Sequence, residues 1–96
     1  SFLHQYLEEG IFPNDPFISI DKEGVGKLLE IGIEKGKKTN NDLKLGVCGE
    51  HGGDPSSIEY FEKIQLDYIS ASPFRIPIAR LAAAHSSIKM KNLLNA

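Results

Sequence analysis

The sharpest chemical feature of this 96-residue sequence is its single cysteine, Cys48. It ends the short apolar run over residues 43–48 and precedes the loop Gly49-Glu50-His51-Gly52-Gly53-Asp54. A thiol there stands at the carboxyl end of an expected strand, just ahead of a helix N-terminus whose partial positive charge favours a thiolate. Such a group can exchange a proton with a carbon centre or attack as a nucleophile, and Gly46 and Gly49 would leave space beside it for a ligand. Position alone favours a plainer role, because free cysteine is among the most buried residue types.

The groups around it carry less chemistry. Glu50 and Asp54 could form a carboxylate pair, yet Asp54 directly before Pro55 has the signature of a helix N-cap, and Glu50 can bond to loop amides instead. His51 has no second His or Cys at ligand spacing, so it reads as a loop organiser rather than a metal ligand. His4 and His85 fall on expected helices without a partner at a telling distance. The glycine-rich turn ahead of a helix suits an anion contact, although it is neither a Walker loop nor a dinucleotide fingerprint. Arg75 can grip a phosphate bidentately or, equally well, pair with a neighbouring carboxylate.

These residues need elements to position them. Phe2, Leu3, Tyr6 and Leu7 recur at helical spacing over residues 1–9, and Gly10 follows as a stop. Pro13, Asn14, Asp15 and Pro16 make residues 11–20 a loop. Asp21 is placed to cap a helix whose buried stripe would be Val25, Leu28, Leu29, Gly32 and Ile33, with Lys35, Lys37 and Lys38 complementing its C-terminal dipole. After a polar turn, residues 43–48 read as a buried strand and a helix starts at Pro55, with Ile58, Phe61 and Ile64 on its apolar face. Residues 66–71 read as a second strand, and Pro77 opens a last helix that runs to about Asn92.

The αβαβα order implies right-handed parallel βαβ units, with the working loops at the carboxyl ends of the strands. Both the Cys48 loop and the Ser70 to Arg75 stretch sit there. Lys and Arg number 11 against 13 Asp and Glu, a net charge of -2, which leaves no electrostatic footprint for nucleic acid or an anionic membrane surface. No apolar run approaches the ~18 residues of a membrane helix, and one cysteine makes no internal disulfide, so the chemistry fits a reducing compartment. The chain begins at Ser1-Phe2-Leu3 with neither an initiator Met nor a signal-peptide pattern, as a piece of a longer protein would.

Two blocks resemble the pyruvate, phosphate dikinase family: Gly46-Val47-Cys48-Gly49-Glu50-His51-Gly52-Gly53-Asp54-Pro55-Ser56-Ser57 and Ser72-Pro73-Phe74-Arg75-Ile76-Pro77-Ile78-Ala79-Arg80-Leu81-Ala82-Ala83-Ala84. Asp15-Pro16-Phe17 and Gly24-Val25-Gly26 upstream fit the same pattern, so the resemblance spans essentially the whole chain. It implies the last two βα units of a (β/α)8 TIM-type barrel, with residues 1–96 an incomplete C-terminal part of a pyruvate/phosphoenolpyruvate-binding domain. The implied reaction interconverts ATP, pyruvate and phosphate with AMP, phosphoenolpyruvate and diphosphate through a phosphohistidine on a swivelling domain.

In that family the cysteine matching Cys48 is the general acid/base at the pyruvate methyl carbon, and Gly49 and Glu50 would neighbour the substrate. The Mg2+ ligands, the substrate-gripping arginines and the phosphohistidine would all lie upstream of Ser1, and the isolated piece would be inactive. The resemblance further implies a homo-oligomeric parent; the reducing chemistry alone points to a cytoplasmic one, with an organellar one left open because a targeting segment would lie outside this chain. Two rivals remain: a fragment of the related phosphoenolpyruvate synthase, and a non-catalytic interaction or redox module built on Cys48.

Overall fold

The computed structural model describes residues 2–95. Helix α1 (Phe2–Glu8) ends where Gly10 takes a left-handed conformation, with the Gly10 N–H donating to Leu7 O and the Ile11 N–H to Tyr6 O. That pair of bonds is the Schellman stop that a glycine after a helix permits. Ser1, where the expected helix began, lies outside the described residues. Tyr6 stacks against both Phe2 and Phe12, at centroid distances of 5.1 and 5.4 Å, and so ties α1 to the loop that follows.

Helix α2 (Val25–Thr39) begins one turn later than Asp21 suggested. The Asp21 carboxylate still accepts the Gly24 N–H at 3.2 Å, closing the turn that leads into the helix. The expected buried stripe is corrected: Leu29 and Ile33 are half-buried, but Val25 is exposed and Leu28 is 69% exposed. Periodicity identifies an apolar face, and here no element packs against that part of it. The helix approaches the rest through Gly26, where a Cβ would lie 2.7 Å from the Tyr60 hydroxyl. Burial pushes the Tyr60 phenol above its ordinary value.

Strands β1 (Gly46–Val47) and β2 (Tyr68–Ile69) pair in parallel, Gly46 opposite Tyr68 and Val47 opposite Ile69. The parallel pairing is as expected and the lengths are not: both strands are two residues long, against the six read from the apolar runs. Each has one neighbour, and the ladder extends only from Leu45 O, which accepts from Asp67 N, to Val47 O, which accepts from Ser70 N, both at 2.8 Å. Below that span the Leu45 N–H turns to the Asp67 carboxylate at 2.8 Å. This bond, reinforced by Lys37 at 3.7 Å, holds the Asp67 carboxyl below its ordinary 3.8.

Helix α3 (Pro55–Lys63) and helix α4 (Ile76–Leu94) make the main packing seam. Ile58 and Phe61 on α3 and Ala82 on α4 are buried, with Ser57 and Ser86 beside them. Ser86 satisfies its hydroxyl on Ala82 O at 2.8 Å, and Ala82 is small enough to let the helices meet. Lys89 bridges back to Glu59 at 2.7 Å across the same seam and lowers that carboxyl. The fold is therefore helix-rich, with a small two-stranded parallel sheet whose carboxyl ends face the same way. Leu81, Ile88 and Leu94 on α4 remain exposed. No described helix is long and apolar enough to cross a membrane.

Candidate active site at the strand ends

Parallel pairing puts Cys48 and Ser70, the residues after Val47 and Ile69, on one rim. The Cys48 thiol is free and exposed, which removes the buried-core reading of that residue. Gly49 follows at φ 107°, a conformation that a side chain would strain, and nothing stands within 4 Å of where its Cβ would be. The expected space beside the thiol therefore exists at Gly49. It does not exist at Gly46, where a Cβ would run into the Tyr68 ring laid across it from β2.

Residues Glu50–Gly53 form a 3-10 turn that carries the chain from Cys48 to α3. Two glycines press it against the neighbouring loop. A Cβ on Gly52 would lie 2.5 Å from the Ser70 carbonyl oxygen, and one on Gly53 would lie 2.5 Å from Arg75 Cδ. Arg75 belongs to a second 3-10 turn (Pro73–Arg75) and reaches Glu50 at 3.8 Å. Of the two roles open to Arg75, the structure thus shows the ion pair.

Below the turn, Asp54 caps α3 as its sequence context required. Its Oδ2 accepts the Ser57 N–H at 2.9 Å, the Ser57 hydroxyl at 2.6 Å and the Ser19 hydroxyl at 3.0 Å. The carboxylate thereby occupies the helix N-terminus that the sequence offered to an external anion. His51 is a loop organiser: its Nε2 donates to Pro16 O at 2.7 Å, since a carbonyl only accepts. Ser57 Oγ in turn accepts the Ile20 N–H at 2.9 Å. The loop over residues 15–20, itself folded by Asp15 accepting from Phe17 N, is thus strapped beneath the cysteine turn.

Sequence reasoning had assigned that strap no role. Its signals were present in Asp15-Pro16 and in Ser57 at the third helical position, but the bonds span 35 to 37 residues. His4 pairs with Glu8 on the exposed face of α1. Among the described residues no three His, Cys, Asp or Glu side chains gather as a metal site requires.

What this arrangement can do is present one mobile proton, on sulfur, at the open end of two parallel strands. Comparison with known proteins bears on the same segment. The family model described as PEP-utilising enzyme, PEP-binding domain matches residues 13–88. The chain is 63% identical over 89 residues to the pyruvate, phosphate dikinase of Rickettsia bellii, 93% of this chain and 10% of that protein. It is 60% identical over 87 residues to the Rhizobium meliloti pyruvate, phosphate dikinase, and 58% over 83 residues to the chloroplastic one of Flaveria bidentis. Those matches cover 91% and 86% of this chain and 10% and 9% of the relatives. The chain therefore spans about a tenth of the length of the curated relatives it matches.

Proposed function

Because the chain belongs to the PEP-utilising enzyme, PEP-binding domain family, we propose that it works as the C-terminal piece of a pyruvate, phosphate dikinase, with Cys48 as the acid/base for pyruvate enolisation. The observation that carries this reading is the exposed thiol on the carboxyl rim of β1, beside the open space at Gly49. In the proposed reaction the thiolate takes a proton from the pyruvate methyl carbon. The C–H electron pair becomes the enol double bond, and the enolate oxygen takes the phosphoryl group from a histidine elsewhere in the parent protein. In reverse, the thiol returns the proton to the methylene carbon of phosphoenolpyruvate as the P–O bond breaks.

A thiol suits the step because its ordinary pKa lies near enough to neutrality to give and take a proton. The strand rim suits it too: β1 and β2 would be the last two strands of a (β/α)8 barrel, where reacting groups stand at the carboxyl ends. Gly49 and Glu50 would border the substrate. Magnesium, when bound by the parent protein, would polarise the substrate oxygens. Alone, the piece lacks the phosphohistidine and the clamps that stabilise charge in the transition state, and is inactive on this reading.

The parent would be a cytoplasmic or organellar homo-oligomer. The names of the relatives favour a dikinase over a phosphoenolpyruvate synthase. The test is pyruvate formation from phosphoenolpyruvate and AMP by the full-length protein: it should require diphosphate, and turnover with phosphate supplied in place of diphosphate would point to the synthase.

A further inference from the structure

We infer that Arg75 is a positioning residue for the Cys48 turn, a role that rests on the acid/base reading of Cys48. Three contacts lead to it. The Arg75 guanidinium meets Glu50, two residues beyond Cys48, at 3.8 Å. Its methylene stem lies where a Gly53 side chain would be, with Cδ 2.5 Å and Cβ 3.0 Å from that Cβ position. One residue earlier, Gly52 sits directly on the Ser70 carbonyl. The thiol-bearing turn is therefore held from the end of β2 by the stem of one arginine and the charge at its tip.

The division of labour follows from exposure. The Arg75 side chain is 43% exposed and that of Glu50 71%, so the ion pair by itself is weak. The stem packing against Gly53 supplies more of the hold, as it does for many half-buried arginines. The ion pair fixes which way the turn faces. Mispositioning an acid/base by about 1 Å costs on the order of 100-fold in rate, while substrate affinity, set mainly by the gripping arginines expected elsewhere in the parent protein, is largely spared.

The test uses the full-length protein and follows solvent deuterium entering the pyruvate methyl group. Arg75→Met, which keeps the stem and loses the charge, should lower kcat for exchange by roughly 3- to 5-fold, and Arg75→Ala by about 100-fold, each with KM for pyruvate within about threefold. Arg75→Lys should restore most of the Met loss. Glu50→Gln should match Arg75→Met, and combining the two should add nothing, because both remove one interaction. Thermal melts and histidine phosphorylation by ATP guard against simple misfolding, and the exposed Glu50→Gln change leaves the packing intact in any case. Wild-type exchange in both Arg75→Met and Glu50→Gln would overturn the inference, as would additive losses or a defect confined to KM. If Cys48→Ala itself exchanges at the wild-type rate, the acid/base reading fails and this inference falls with it.

Discussion

The contact between Gly52 and the end of β2 allows a sharp prediction. A methyl group added at residue 52 would lie 2.5 Å from the Ser70 carbonyl oxygen and 2.8 Å from Ile69 Cγ2. Carbon and carbonyl oxygen ordinarily approach no closer than about 3.3 Å, so roughly 0.8 Å must be found. The Ser70 oxygen is backbone, in a residue tied to the end of β1 by its N–H on Val47 O at 2.8 Å, and no rotamer change relieves it. The turn Glu50–Gly53 has to lift, and Cys48 lies just before it. Forced overpacking of this kind costs about 1–3 kcal/mol, and the displacement costs on the order of 100-fold in proton transfer. Two assays on the full-length Gly52→Ala protein read the two effects: methyl-proton exchange for the thiol, and amide hydrogen exchange at residues 50–53 and Ser70 for the docking. Wild-type behaviour in both would refute the argument that this close approach positions the thiol.

Other perturbations separate local causes. Gly32→Ala should stabilise α2 by roughly 0.5–1 kcal/mol, because the added methyl has no neighbour within 4 Å and the helix loses a flexible residue; hydrogen exchange along α2 should slow. Asp54→Ala removes the acceptor for Ser57 and Ser19 and should cost about 1–2 kcal/mol, read as faster exchange in the first turn of α3. Asp67 titrates lower folded than unfolded, first through its bond from Leu45 N–H and then through Lys37. Its stabilising contribution is therefore complete above 3.8 and disappears as the pH falls through the lowered folded value. Protection of the Leu45 amide should fade over that acid range, and Asp67→Asn should show a smaller change with pH.

How much was legible before any coordinates depended on how local the cause was. The Asp54-Pro55 start of α3 and the Gly10 stop of α1 are set by residues within one helical turn, and both appeared as read. The stripe of α2 was legible as a face, whereas the exposure of Val25 and Leu28 depends on what other elements cover. Strand length failed for the same reason: a six-residue, mostly apolar run can pair only as far as the partner strand overlaps it. The ligand space assigned to Gly46 went to the Tyr68 ring, which register alone brings there from 22 residues away. The Arg75–Glu50 pair and the Ser19–Asp54 bond are likewise long-range, and residue types at that distance do not announce each other. Cys48 stood out because its position between an apolar run and a glycine loop is itself local.

The central claim concerns one sulfur and one carbon-bound proton. The direct measurement is deuterium uptake from solvent into the pyruvate methyl group by the full-length protein with Cys48→Ala, alongside labelling of its histidine from ATP. The account predicts exchange reduced by at least about 100-fold with histidine labelling intact. Exchange at the wild-type rate would contradict it.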